Sequence, residues 1–212
     1  MNKKTLIVAA TYEELIPTFE HFGWTRANFI EHTRFDVLIT GVGMTATAFA
    51  MGRHLNKSYG LVLNVGIAGS FDSSLELGSL VNSSEDTFSE LGAEDGDSFI
   101  SIDELGFGKS VYLSNSTSEN PLLKNIPKVK SITVNTVHGH TKSIQDLLDR
   151  LKVKTESMEG AAVFYAAEQM NIPALQIRSI SNYVAQRNKE NWKIGLAVKN
   201  LNQWLINYLN YV

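Results

Sequence analysis

The sequence predicts an α/β domain of three layers, and three observations carry the prediction. Short runs rich in Val, Ile and Leu alternate with stretches of helical period; two of those runs empty into glycine-rich turns; and residues 156–182 read as a helix feeding a buried strand. In that architecture the site lies at the carboxyl ends of the strands.

Residues 5–10 (T-L-I-V-A-A) are the first strand, and Glu13-Glu14-Leu15 begins a helix that ends near Gly23. Residues 24–34 mix polar and aromatic side chains and read as a short edge hairpin. Residues 35–40 (F-D-V-L-I-T) are a buried strand that runs into Gly41-Val42-Gly43, and 44–55 continue as an Ala-rich helix. Residues 61–65 repeat the pattern and empty into a turn, Gly66-Ile67-Ala68-Gly69. A short strand follows at 77–82. Residues 85–104 carry eight acids with no Lys or Arg and read as a long acidic loop. Residues 132–137 are a strand ending at Val137-His138-Gly139-His140, and 143–151 a helix. Between 156 and 182, small and apolar residues at helical spacing stop at Pro173, and residues 174–180 form a strand. The last segment sets Leu201, Trp204, Leu205, Tyr208, Leu209 and Val212 on one stripe that packs on the sheet.

With 212 residues and 43% apolar content, the chain is long enough to bury one core and too short to need two, so residues 1–212 are expected to form a single domain. The net charge of −3 is small and the cations are scattered, which argues against nucleic acid or an anionic membrane as partner. No cysteine is present, which removes disulfides, thiolate catalysis and cysteine zinc sites. Glu13 and Glu14 interrupt the first apolar run, and no segment reaches membrane-spanning length, so a cytoplasmic protein is expected.

Gly41-Val42-Gly43-Met44-Thr45-Ala46 matches the dinucleotide fingerprint after a strand and before a helix, which keeps a dinucleotide-binding oxidoreductase as a rival reading. The acid that should hold a ribose hydroxyl is missing, since the next strand offers only Asn64. Glu94-Asp95-Gly96-Asp97 lacks the alternating ligands of a calcium loop, and His138 with His140 has no third ligand nearby, so neither a metal nor a cofactor is expected. A different combination stands out. Glu14 lies at a strand-to-helix junction, Ser157, Met158 and Glu159 at a helix start, and Arg178, Ser181 and Asn182 at a strand end.

Five segments in order, A-T-Y-E-E-L, G-V-G-M-T-A-T-A, N-V-G-I-A-G-S-F, S-M-E-G-A-A and I-R-S-I-S-N, resemble the nucleoside phosphorylase and nucleosidase superfamily, in its methylthioadenosine/S-adenosylhomocysteine nucleosidase-like branch. The resemblance covers nearly the whole chain. It implies an α/β/α sandwich around a twisted mixed sheet, a purine nucleoside held at the strand ends, and a homo-oligomer, dimer or larger. Residue by residue, it implies that Glu14 acts on the hydrolytic water with Arg178 near it. Glu159 would grip the ribose hydroxyls, Met158 pack on the ribose, and Asn182 meet the purine N7 edge. Thr136, Val137 and His138 fall where the family contacts the base, and Ser157, Ser181, Gly66, Ile67 and Phe88 are expected beside the substrate.

Departures from the pattern narrow the expectation. Adenine-cleaving members carry Asp where this chain has Asn182, whose amide can donate to a C6 oxygen while its carbonyl accepts from a protonated N7, which favours hypoxanthine as leaving base. The first loop, Thr11-Tyr12-Glu13-Glu14, holds no basic residue for phosphate, so water is the expected nucleophile. Ile67 stands where relatives often place a serine. L-G-A-E-D-G-D-S-F, with N-V-G-I-A-G-S-F and S-I-S-N, is similar to the futalosine-hydrolysing subfamily of menaquinone biosynthesis. Its substrate's aromatic carboxylate calls for a cationic or hydrogen-bonding partner, with Arg53, His138 and His140 as candidates. An adenine-releasing nucleosidase is the alternative.

Overall fold

The computed structural model of the chain describes residues 3–96, 98–116, 120–186 and 188–211. Asp97 and Val212, named above, lie outside them.

The first strand shows why the layers form. In β1 (Lys4–Ala9), Leu6 and Val8 pack with Met51, Val163 and Phe164, whereas Ile7 and Ala9 pack with Phe19, Leu201 and Leu205. A strand with both alternate sets apolar must be covered on both faces. The first cover is α2 (Met44–His54) with α4 (Gly160–Gln169); the second is α1 (Ile16–Phe22) with α5 (Ile194–Tyr211). The expected three-layer class is therefore present. No helix among the described residues is long and apolar enough to cross a membrane.

The remaining strands are β2 (Phe29–Glu31), β3 (Phe35–Ile39), β4 (Tyr59–Ser70), β5 (Leu80–Phe88), β6 (Gly92–Asp95), β7 (Ser98–Ser101), β8 (Val111–Leu113), β9 (Lys128–Thr133), β10 (Thr155–Ser157) and β11 (Ala174–Tyr183). The main sheet runs β10-β9-β5-β11-β4-β1-β3-β2, with β8 on β5. It is mixed: β1 is parallel to β3 and β4, and β11 parallel to β4 but antiparallel to β5. β10 pairs parallel with β9 and antiparallel with β4, which closes β10, β9, β5, β11 and β4 into a ring. Helix α3 (Thr141–Arg150) flanks this ring, burying Leu147 against Ile132 and Val134.

The structure corrects five sequence expectations. Gly66-Ile67-Ala68-Gly69 is not a turn: β4 runs straight through it, because β11 supplies a ladder partner to each of the four residues and β10 a second one to Gly69, which override the glycines' weak strand preference. The strand expected at 77–82 lies at Leu80–Phe88 instead, and that expected at 132–137 lies at Lys128–Thr133. Residues 85–104 are no loop; they are the end of β5 and the β6–β7 hairpin, with Arg150 stacked 4.1 Å over Phe99. Lastly, the helix expected from Glu13 begins at Ile16, behind a turn that holds Glu14.

Strand β5 escaped the apolar pattern because its buried side chains are polar and bond one another. Ser83 Oγ lies 2.7 Å from Ser131 Oγ, Gln176 Nε2 donates to Ser83 Oγ and to Asp86 Oδ2, both at 2.8 Å, and Asn64 Nδ2 donates to Gln176 Oε1 at 2.8 Å. Such satisfied networks are tolerated in a core where isolated polar groups are not.

Candidate active site

The carboxyl ends of β1, β3, β4, β10 and β11 meet around a cavity of about 260 Å³. Glu14 enters it from the turn after β1. Thr11 donates to Glu14 Oε2 from its backbone N–H (3.1 Å) and hydroxyl (3.2 Å), while Glu14 N–H donates back to Thr11 Oγ1 at 3.3 Å, the reciprocal pattern of a capping box. The Ile67 N–H on β4 donates to Oε1 at 3.0 Å. From below, buried Asn202 on α5 donates to the Glu14 carbonyl at 2.8 Å. Three bonds thus reach the carboxylate and two more hold the main chain of a residue that is only 8% exposed. Burial pushes its pKa up, partly offset by the Arg178 charge and the Ile67 and Thr11 N–H groups, and reinforced by Glu159.

Glu159 arrives with β10. Ser157 ends that strand and its hydroxyl accepts from Gly160 N–H at 3.4 Å, turning the chain into α4 with Met158 and Glu159 at the bend. Glu159 Oε1 accepts from Gly43 N–H at 3.1 Å, and Oε2 lies 3.8 Å from Arg178 Nη1. The Gly41–Gly43 turn, read above as a dinucleotide cradle, therefore presents its amide to a carboxylate of the protein itself; φ of +86° at Gly41 and +94° at Gly43 make the turn possible.

Arg178, on β11, is 1% exposed, and its Nε and Nη2 have no hydrogen-bond partner among the described residues. Gly66 makes room for it: a Cβ there would lie 2.2 Å from Arg178 Nη1 and 2.8 Å from Glu14 Oε1. Beneath α4, Asp86 accepts from Thr133 Oγ1 and Gln176 Nε2, both at 2.8 Å, and Thr133 Oγ1 accepts from Ala161 N–H at 2.7 Å. Burial lifts the Asp86 pKa to about 6, against the pull of those two donors and of Arg178.

At the other end of the cavity a bulge in β11 brings Ser181 and Asn182 round. Ser181 Oγ lies 3.1 Å from the Ala68 carbonyl and 2.7 Å from Asn182 Oδ1, which keeps a second lone pair.

Glu14, Ile67, Val137, His138, Ser157, Met158, Glu159, Ser181 and Asn182 all line this cavity, with Gly66 and Arg178 directly behind. Two expected residues do not join them. Phe88 lines a separate cavity of about 690 Å³ with Phe107, Tyr112 and Tyr165, and Thr136 is exposed and lines neither. Of the tail candidates, His138 lines this cavity; Arg53 stacks on Phe49 and lines a groove with Lys4, and His140 stands before α3. The isoleucine at 67 reaches Glu14 through its main chain, so the missing serine does not cost the carboxylate a donor.

Sequence reasoning missed Thr11, Val42, Glu156 and Trp192, all on the cavity wall. Glu156 is 3% exposed and accepts from the His138 backbone N–H at 3.1 Å, with His138 Nδ1 2.7 Å from its Oε2. An acid inside the short buried T-E-S run was the available signal. Among the described residues no group of three or more His, Asp or Glu is placed to hold a metal ion.

Comparison with known proteins gives a consistent picture. The sequence profile of the Phosphorylase superfamily matches residues 8–210. A futalosine hydrolase of Streptomyces coelicolor is 32% identical over 177 residues, 77% of this chain and 74% of its own. Two Helicobacter pylori structures share the fold. A 5'-methylthioadenosine/S-adenosylhomocysteine nucleosidase mutant with 5'-methylthioadenosine in its active site superposes with TM-score 0.82 over 100% of both chains, at 18% identity. A native futalosine hydrolase superposes with TM-score 0.82 over 99% of this chain and 98% of its own, at 17% identity.

Proposed function

The chain belongs to the phosphorylase superfamily, and from that premise we propose that it hydrolyses the N-glycosidic bond of futalosine, releasing hypoxanthine. The observation that carries this reading is one cavity with two carboxylates, Glu14 and Glu159, beside a buried arginine at one end and a carboxamide, Asn182, at the other.

Glu14 is the base for the attacking water. Its raised pKa makes it a better proton acceptor than an ordinary carboxylate, and its held geometry aims it at one place. The water oxygen bonds to C1′ as the bond from C1′ to the purine nitrogen breaks; the water proton passes to Glu14 and the bond electrons go to the purine. Arg178 Nε and Nη2 are spare donors for that water, which supports them in the place of the serine that Ile67 replaces. Glu159 accepts from the ribose 2′ and 3′ hydroxyls, a contact that strengthens as positive charge develops on the sugar. The departing purine anion takes a proton at N7 from solvent water; Asn182 Oδ1 then accepts from that N7–H while its amide donates to O6.

Arg178, the cation directly behind the cavity, already faces two carboxylates, Glu14 and Glu159, which would repel a phosphate dianion; this favours water as nucleophile. The likeness to the S. coelicolor futalosine hydrolase, together with Asn182, favours futalosine, a menaquinone-pathway intermediate. The methylthioadenosine-bound relative keeps an adenine nucleoside as the second reading. The main sheet, which takes in every described strand except β6 and β7, supports residues 1–212 as a single nucleosidase domain, and the exposed Phe49, Phe107 and Tyr165 favour a homo-oligomer.

Purified protein incubated with futalosine and with methylthioadenosine, without phosphate, decides the matter by which base is released. Hypoxanthine from futalosine supports the proposal; adenine alone supports the second reading; neither base refutes both.

A further inference from the structure

Glu156 has no part in the mechanism above, yet it is a buried carboxylate on the cavity wall. Its place in the sheet is specific. Glu156 on β10 and Asn182 on β11 are both register partners of Gly69 on β4, one on each side. A Cβ at 69 would fall 2.9 Å from Val184 Cγ2 and sit tight against Asn182 Nδ2 at 3.3 Å, with Glu156 Cγ in ordinary contact at 3.5 Å. The glycine therefore lets β10 and β11 bring two polar side chains to the same cavity from either side of β4. A planar base held in that cavity has one edge addressed by Asn182 and another by the Glu156 side.

What Glu156 presents there is His138. The carboxylate takes both the backbone N–H of His138, at 3.1 Å, and its ring Nδ1, at 2.7 Å, while the Phe71 ring packs edge-on at a centroid distance of 6.1 Å. In the tautomer that donates Nδ1–H to Glu156, the ring's lone pair lies on Nε2, on the far side from the carboxylate.

We propose that Glu156 is a positioning residue for base specificity: it fixes His138 in the tautomer whose Nε2 accepts the N1–H of a 6-oxopurine while Asn182 reads the N7 and O6 edge. A 6-aminopurine has a bare lone pair at N1, which faces the Nε2 lone pair with no proton between them. The pair thus rejects adenine by leaving a desolvated acceptor unpaired, the more effective form of discrimination. This rests on the nucleosidase reading of the cavity but is separate from the identity of the 5′ tail.

The test uses the free bases. Calorimetry with hypoxanthine and adenine is run on the wild type, Glu156→Gln and His138→Phe, alongside kcat/KM for matched 6-oxo and 6-amino nucleosides. The wild type is expected to favour hypoxanthine, and each variant to lose about 10- to 100-fold of that preference, through weaker hypoxanthine binding together with relief of the penalty on adenine. His138→Phe leaves β10 and Glu156 intact, so the test stands if Glu156→Gln misfolds. A preference unchanged in His138→Phe, or both bases weakened equally in the folded variants, overturns the proposal. Selective hypoxanthine binding, lost in the variants, with no cleavage of futalosine upholds it and refutes only the assigned nucleoside.

Discussion

Gly66 and Arg178 are in such close register that no side chain can stand between them: a β-carbon at 66 would fall 2.2 Å from the guanidinium Nη1. The arginine has nowhere to retreat, being 1% exposed on the central strand next to β4. Gly66→Ala is therefore expected to displace the guanidinium or the strand by an ångström or so. Since a misplacement of that size costs on the order of 100-fold in rate, kcat/KM should fall by about that factor. Steady-state kinetics on the folded variant checks it; activity within threefold of wild type would show that Arg178 needs no such clearance.

Glu14→Gln keeps the shape of the side chain and removes the base. Turnover should drop by about 10²- to 10⁴-fold while substrate still binds. Single-turnover kinetics with a calorimetric Kd separates the two. Because burial raises the Glu14 pKa and the ionised form is the active one, activity should fall with decreasing pH at a value above the ordinary 4.5. The same acid limb should persist in Asp86→Asn, which removes the other raised carboxylate near Arg178.

Glu159→Ala removes the acceptor of two ribose hydroxyls and leaves Gly43 N–H without its 3.1 Å partner. At about 1.5–3 kcal/mol for each hydrogen bond to a charged group, kcat/KM should fall roughly 10²- to 10⁴-fold, with KM raised as well as kcat lowered. A change confined to kcat would mean that Glu159 does not touch the ribose in the ground state.

Asp86 gives a stability signature. Its folded pKa of about 6 lies above the ordinary 3.8, so the folded state holds this proton more tightly than the unfolded one. The stabilisation is complete below about 3.8 and is lost as pH rises through about 6, a cost on the order of 3 kcal/mol at neutral pH. Denaturant unfolding of the wild type and Asp86→Asn between pH 4 and 8 should show the dependence flattened in the variant. Parallel curves would assign the titration elsewhere.

The legible parts of the sequence were those where apolar period and tertiary role agree. Leu6 to Ala9, Phe35 to Ile39 and the run before Arg178 are strands with apolar residues on both faces, and the acids Glu14 and Glu159 sit beside unmistakable turns. Where the core is polar the pattern failed. β5 reads N-S-S-E-D-T and looked like a loop, because Ser83 and Asp86 satisfy their hydrogen bonds with Gln176, Ser131 and Thr133, partners 47 to 93 residues away that no local window contains. Gly66 to Gly69 looked like a turn for the opposite reason: glycine there serves Arg178, Asn182 and Glu156, which approach from other strands. The His138–Glu156 pair was equally invisible, since 18 residues separate its members.

The double pairing of β10 has a dynamic consequence. A strand bound to both β9 and β4 leaves the ring around the cavity without a free edge, so no strand of it can peel away while the rest stays folded. Backbone amides of β4 from Val62 to Asn64, flanked by β1 and β11, should then exchange with deuterium only through whole-molecule opening, at the slowest rate in the chain. The β6–β7 hairpin, paired only with itself, should exchange orders of magnitude faster.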